Sequence, residues 1–151
     1  MDRLAVAALV VAVAVVVGLV ARRRRVAAPT QARHGAPSQL DRADFPRPAT
    51  PWLVAVFSSA TCSSCADVIA KARVVESPDV AVADVEYTVH RALHERYAIT
   101  AVPTLVVADS AGVVRAQFVG PVTATDLWAA IAEVRQPGSS PEPGLGRPDA
   151  T

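Results

Sequence analysis

Leu53-Val54-Ala55-Val56-Phe57-Ser58-Ser59-Ala60-Thr61-Cys62-Ser63-Ser64-Cys65-Ala66-Asp67-Val68 is the stretch around which the rest of the chain is organised. An apolar run of strand length passes into small, turn-forming residues, then a Cys-x-x-Cys pair, then residues in helical pattern. A strand ending beside a helix start holds Cys62 at the helix N-terminus, with Thr61 available as N-cap. Unpaired amides and the helix dipole favour a thiolate there. Two intervening residues bring Cys65 about one turn on, close enough to attack a mixed disulfide formed at Cys62. The plain alternative is that both cysteines are small, half-buried residues without chemistry.

At 151 residues the chain has room for one ordinary domain with appendages. Its 52% apolar content is inflated by the N-terminus and does not imply an outsized core. From Asp41 to Gln136 there are eight Lys/Arg against eleven Asp/Glu, so the domain is mildly acidic. The basic excess sits in Arg22-Arg23-Arg24-Arg25. No basic stripe falls on a folded segment, which argues against nucleic acid as a partner. Two cysteines this close would staple almost nothing, so they read as a working pair. Their number does not assign a compartment, because a redox dithiol operates on either side of a membrane.

Leu4 to Ala21 is an unbroken apolar run without charge. At 1.5 Å per residue a helix there spans roughly 27 Å, enough for a bilayer core. A cleaved signal peptide competes with this reading, but the positive charge follows the run and no clean small-x-small site comes directly after it. The expectation is an uncleaved single-pass anchor with its basic flank over residues 1–25. Four arginines outweigh Arg3 and the amino terminus, so the positive-inside rule puts them, and everything after them, in the cytoplasm. Residues 26–40, with Pro29, Gly35 and Pro37, read as a flexible linker. The domain follows over 41–136, and the Pro/Gly/Ser-rich tail 137–151 reads as disordered.

Within the domain, Asp41 to Phe45 suits a short first turn, and Pro46, Pro48 and Pro51 keep the chain extended up to Trp52. Cys62 to Glu76 carries Val68, Ile69, Ala72 and Val75 at helical spacing and ends at Ser77-Pro78-Asp79. Val80 to Tyr87 is β-rich. Thr88 is placed to cap a helix from Val89 to Tyr97. Val102-Pro103-Thr104 opens a third strand through Ala108, Asp109 to Gly112 forms a hairpin turn, and Val113 to Val119 returns antiparallel. After Gly120-Pro121, a last amphipathic helix starts at Thr125, with Leu127, Trp128, Ile131 and Val134 on or near its apolar face. A parallel pair joined by a helical crossover, followed by an antiparallel hairpin, makes an α/β sheet covered on both faces.

Three separated pieces of this pattern resemble the thioredoxin family: Thr61-Cys62-Ser63-Ser64-Cys65 after a strand, Tyr97-Ala98-Ile99-Thr100-Ala101-Val102-Pro103-Thr104, and Phe118-Val119-Gly120 before the last helix. Together they cover Trp52 to Val134. A lone Cys-x-x-Cys is a weak motif, and the Val-Pro-Thr about forty residues on strengthens it. The resemblance implies a thioredoxin-like α/β fold, a central mixed sheet with helices on both faces. It also implies that Pro103 is cis and faces the dithiol, with the backbone of Val102 and neighbouring Thr61 offered to the substrate chain. A plain strand-initiating proline at an edge is the other reading of Pro103. The chain departs from the family in four places. Thr61 stands where a Trp is typical, and Val56 where a buried acid serves the second thiol. Ser63-Ser64 replaces Gly-Pro. The usual first strand and helix are compressed into Leu40 to Trp52. With Val56 inert, a water, Asp67 or another nearby group must serve Cys65 as base.

His90 and His94 lie four apart on one helix, so Cys62, Cys65, His90 and His94 form a formal Cys-x2-Cys…His-x3-His set. The intervening chain is far longer than a zinc finger's and contains a strand, which makes a solvated helix face the ordinary account of both histidines. The function expected is a membrane-anchored thiol–disulfide oxidoreductase: Cys62 attacks as thiolate and Cys65 resolves, with no bound cofactor and no metal. Its partners would be protein disulfides or dithiols, and a reductase or membrane electron donor that the sequence does not identify. A non-catalytic thioredoxin-like binding module, for protein or metal, is the alternative.

Overall fold

β-Branched and small apolar side chains fill Trp52–Ser58, and the chain there is extended as β1, with every residue after Trp52 buried. A strand buried on both faces needs cover above and below. Val54 and Val56 point into one core cluster with Val68, Ala72, Leu127 and Ile131. Leu53, Ala55 and Phe57 point into another with Leu40, Phe45, Val85 and Val106. The computed structural model describes residues 35–141 and 144–147. The expected anchor and basic flank at 1–25, most of the expected linker and the end of the tail lie outside the described residues. Among the described residues no helix is long and apolar enough to cross a membrane.

Helix α1 (Cys65–Arg73) returns from β1 to β2 (Val80–Glu86), which pairs parallel to β1 from Trp52↔Val80 to Ser58↔Glu86. Helix α2 (Arg91–Arg96) leads to β3 (Thr104–Ala108), antiparallel to β1, and β3 turns into β4 (Val114–Val119). Helix α3 (Ala124–Arg135) closes the domain. The sheet order is β2-β1-β3-β4. Helices α1 and α3 contribute to the first cluster, while Leu93 of α2 packs against the second. This is an α/β fold with a mixed four-stranded sheet covered on both faces. Among the described residues no separate strand and helix precede β1: Leu40, Phe45 and a short 3-10 turn at Arg42–Asp44 fill that side of the core, and Asp41 caps the turn. The hairpin turn sits at Asp109–Gly112, where the amide of Gly112 donates to the Asp109 carbonyl at 3.0 Å.

Several local expectations are corrected. Helix α1 starts at Cys65, not Cys62, because two tight turns use up the intervening chain: Cys62 N donates to Ser59 O at 3.0 Å and Cys65 N to Cys62 O at 3.3 Å. Ser64 takes the N-cap position without a side-chain bond, and the Thr61 hydroxyl lies 3.1 Å from that of Ser59 instead of capping. The helix ends at Arg73, short of Glu76. Thr88 does not cap α2. Its hydroxyl bonds the Glu86 carboxylate, and the helix begins after His90. The proline-rich approach to Trp52 is folded, not extended: Arg47 has φ 53°, Thr50 N bonds Arg47 O, and the Arg47 guanidinium bonds the Ser77 and Pro78 carbonyls. Strand β3 begins at Thr104, leaving Val102 and Pro103 ahead of it. Trp128 is half-exposed, its indole N–H reaching the Lys71 carbonyl.

Candidate functional site

The turn between β1 and α1 joins Cys62 and Cys65 as a disulfide, with S–S 2.11 Å and Cα–Cα 5.4 Å. Burial separates the two sulfurs. Cys65 opens the inward face of α1, in line with Val68 and Ala72, and is buried. Cys62 is held in the turn one step outside and is partly exposed. That asymmetry suits an attacking thiol followed by a sheltered resolving one. Cys62 is not a helical residue, as the sequence had suggested, but it lies immediately ahead of the α1 N-terminus, where orphan amides and the dipole act on an anion. Ser64 Oγ lies 3.7 Å from Cys62 Sγ.

Beside this turn the Val102–Pro103 peptide bond is cis. Pro103 is buried, and its carbonyl accepts from Gly120 N at 2.8 Å, tying it to the end of β4. Val102 is half-buried and outside the β3 ladder, which starts at Thr104. A groove of about 220 Å³ runs here, lined by Ser59, Tyr87, His94, Thr100 and Val102 among others. Since the Ser59 carbonyl holds the Cys62 amide, the groove reaches the dithiol turn. Larger hollows of about 410 and 540 Å³ open around Trp52, at the opposite end of β1 from the cysteines.

His94 departs from the expected solvated face. It is 3% exposed, its Nε2 lies 2.7 Å from the Val85 carbonyl, and its ring meets those of Phe57 and Tyr87 edge-on. His90 is exposed at the N-cap position of α2. With His94 in the α2-side core and Cys65 on the α1 side, the four-residue Cys/His set is not brought together. Among the described residues no group of three or more His, Cys, Asp or Glu is arranged to hold a metal ion. Asp67, the base considered for Cys65, is engaged by Lys71 at 2.5 Å one turn along α1.

Two acids at the end of β2 matter here and were not singled out from the sequence. Glu86 accepts from Ala60 N at 3.1 Å and from Thr88 N and Val89 N, so one carboxylate binds the dithiol loop to β2. The Thr88 hydroxyl, helped by those amides and opposed by desolvation, holds this carboxyl below the ordinary Glu range. Asp84 accepts a 2.6 Å hydrogen bond from Ser58 Oγ. The only signals in the sequence were a serine ending an apolar strand and an acid inside the next one.

No family model and no curated protein matches the chain. Solved structures similar to it include two thioredoxins and a thioredoxin-fold protein. A mutant thioredoxin from Halobacterium salinarum is 24% identical over 56% of this chain and 75% of its own, with a TM-score of 0.49. A thioredoxin-fold protein from Helicobacter pylori is 15% identical over 62% of this chain and 82% of its own, TM-score 0.49. Thioredoxin O2 from Arabidopsis thaliana in its oxidized state is 25% identical over 56% and 74%, TM-score 0.47.

Proposed function

We propose that the chain is a thiol–disulfide oxidoreductase, exchanging the Cys62–Cys65 pair with disulfides of protein substrates. The observation that carries this reading is the pairing of a partly exposed Cys62 with a buried Cys65, at a turn reached by the groove along Val102. In the reduced state Cys62 attacks a substrate disulfide, a mixed disulfide forms, and Cys65 displaces the substrate thiolate. Val102, Pro103 and Thr61 are the residues we assign to the substrate chain. We further propose that Leu4 to Ala21 anchors the chain in a membrane with the domain in the cytoplasm. Glutathione and thioredoxin systems keep dithiols reduced there, and the pair would act as reductant, recharged by a reductase or membrane dithiol donor.

The test uses the full-length chain purified in mild detergent, with insulin as disulfide substrate and dithiothreitol as electron source. Cys62→Ser should lower turnover at least ~100-fold, to the uncatalysed level. Cys65→Ser should accumulate a mixed disulfide through Cys62. Equal rates for wild type and Cys62→Ser would rule the function out.

A further inference from the structure

We propose that Ser58 and Asp84 form a proton relay that serves Cys65, Ser58 contacting the resolving thiol and Asp84 acting through it as a positioned acceptor. The proposal rests on the oxidoreductase reading above. Three observations converge on it. Along β1, Ser58 follows Val54 and Val56 at the same alternation, so it faces the side covered by α1. Helix α1 lies on that side with Cys65, Val68 and Ala72 inward and runs back along β1. The first inward residue of the helix, Cys65, is thereby on the same side of the sheet as Ser58, the last residue of the strand that leads to it.

Second, Ser58 is 2% exposed and its hydroxyl donates to Asp84 at 2.6 Å. A buried hydroxyl that donates to a carboxylate keeps its lone pairs for a donor on its other side, and a thiol S–H is such a donor. Third, Val56 and Asp84 are register partners on adjacent parallel strands, so both point to the α1 side. The apolar Val56 has no proton-accepting group, and the acid one strand over, bridged by Ser58, reaches the same end of the helix. Asp84 itself is exposed, so a proton delivered to it passes to water.

The balance is simple. As Cys65 Sγ forms its bond to Cys62 Sγ, the Cys62–substrate S–S bond breaks and its electron pair leaves on the substrate sulfur. The Cys65 proton moves to Ser58 Oγ while the Ser58 proton moves to Asp84. The pair is oxidised by two electrons and the substrate disulfide is reduced by two. Other ionisable groups near this end are few. Glu86 is committed to Ala60, Thr88 and Val89, Asp67 is paired with Lys71, and β1 contributes no charged side chain.

The reduced full-length chain is mixed with glutathione disulfide, quenched in acid at intervals and read by mass spectrometry. The quantity compared is the rate at which the Cys62–glutathione adduct clears, divided by the rate at which it forms. For wild type this ratio should be nearly flat between about pH 6 and 8, because the relay, and not the free thiolate fraction of Cys65, carries the proton away. Asp84→Asn keeps the size and an acceptor for Ser58 but takes no proton. It should lower the ratio at pH 6 by at least about tenfold and make it climb with the thiolate fraction, roughly tenfold per pH unit. Asp84→Glu should restore most of the flat profile, and Ser58→Ala should behave as Asp84→Asn does. A purely structural role for Asp84 would alter melting without changing the shape of the pH profile. If the wild-type chain forms no adduct at Cys62, the oxidoreductase reading falls and the relay with it. If the adduct forms and clears with the same ratio and profile in Asp84→Asn, the relay alone is refuted.

Discussion

Cys62 and Cys65 differ in what surrounds them, and that difference is measurable one sulfur at a time. In the reduced chain Cys62 should alkylate several-fold faster than Cys65 near neutral pH, read by peptide mapping after a short iodoacetamide pulse. The reason is that Cys62 is partly exposed and lies ahead of the α1 N-terminus, while Cys65 is buried. Equal labelling would contradict the asymmetry. His94 was the least legible residue in the sequence. A histidine four residues from another on a polar-looking helix reads as solvated, and only the fold reveals that its ring fills the space between Phe57 and Tyr87. Replacing it with Ala removes that packing and leaves the Val85 carbonyl short of its partner. The expected cost is about 2–4 kcal/mol in urea unfolding of the full chain. The cysteine pair and Pro103 were legible because their signal is local in sequence. Ser58 with Asp84 was not, since it depends on the register of two strands separated by a helix.

Elements were legible where apolar periodicity is long, as in β1 and α3, and blurred where side chains intervene at the ends. Thr88 looked like a helix cap, yet Glu86 captures its hydroxyl and amide, and α2 shrinks to Arg91–Arg96. That capture has a pH signature. The Glu86 carboxyl is held below its ordinary range in the folded chain, so its contribution is present above the ordinary Glu pKa. It is lost as pH falls through the lowered folded value. Hydrogen exchange at the amides of Ala60, Thr88 and Val89, corrected for intrinsic rates, should therefore lose protection on acidification. In Glu86→Gln it should be weaker and insensitive to pH. At the other end of the chain Thr123 caps α3, its hydroxyl accepting from Asp126 N at 3.1 Å. Thr123→Ala should cost about 1 kcal/mol by thermal or urea unfolding.

For the whole molecule, the expected order of strands and helices and the mixed sheet appear as read, since each crossover was marked by a turn signal. The compression of the first strand and helix was legible as the few residues from Leu40 to Trp52. What replaces them was not, because Leu40 reaches the core through one bridge, Gln39↔Val113. The proposed membrane orientation rests on charge alone, and a reporter fused after Thr151 tests it: fluorescence without periplasmic phosphatase activity is expected. Replacing Arg22 to Arg25 with Gln should mix the two orientations. The bridge at Gln39 has a practical consequence. Leu40 N bonds Gly112 O at 2.8 Å and Val114 N bonds Ser38 O at 3.0 Å, which fastens the incoming chain to the hairpin tip. That tip adjoins Ala108, the register partner of Leu53, whereas Cys62 lies beyond Ser58, a strand length of roughly 20 Å away. The chain thus enters the domain at the pole remote from its sulfurs. A bead, resin or single-molecule handle coupled at Ser38 would grip the domain by the pole opposite its dithiol, leaving Cys62 open to partners as bulky as a folded protein.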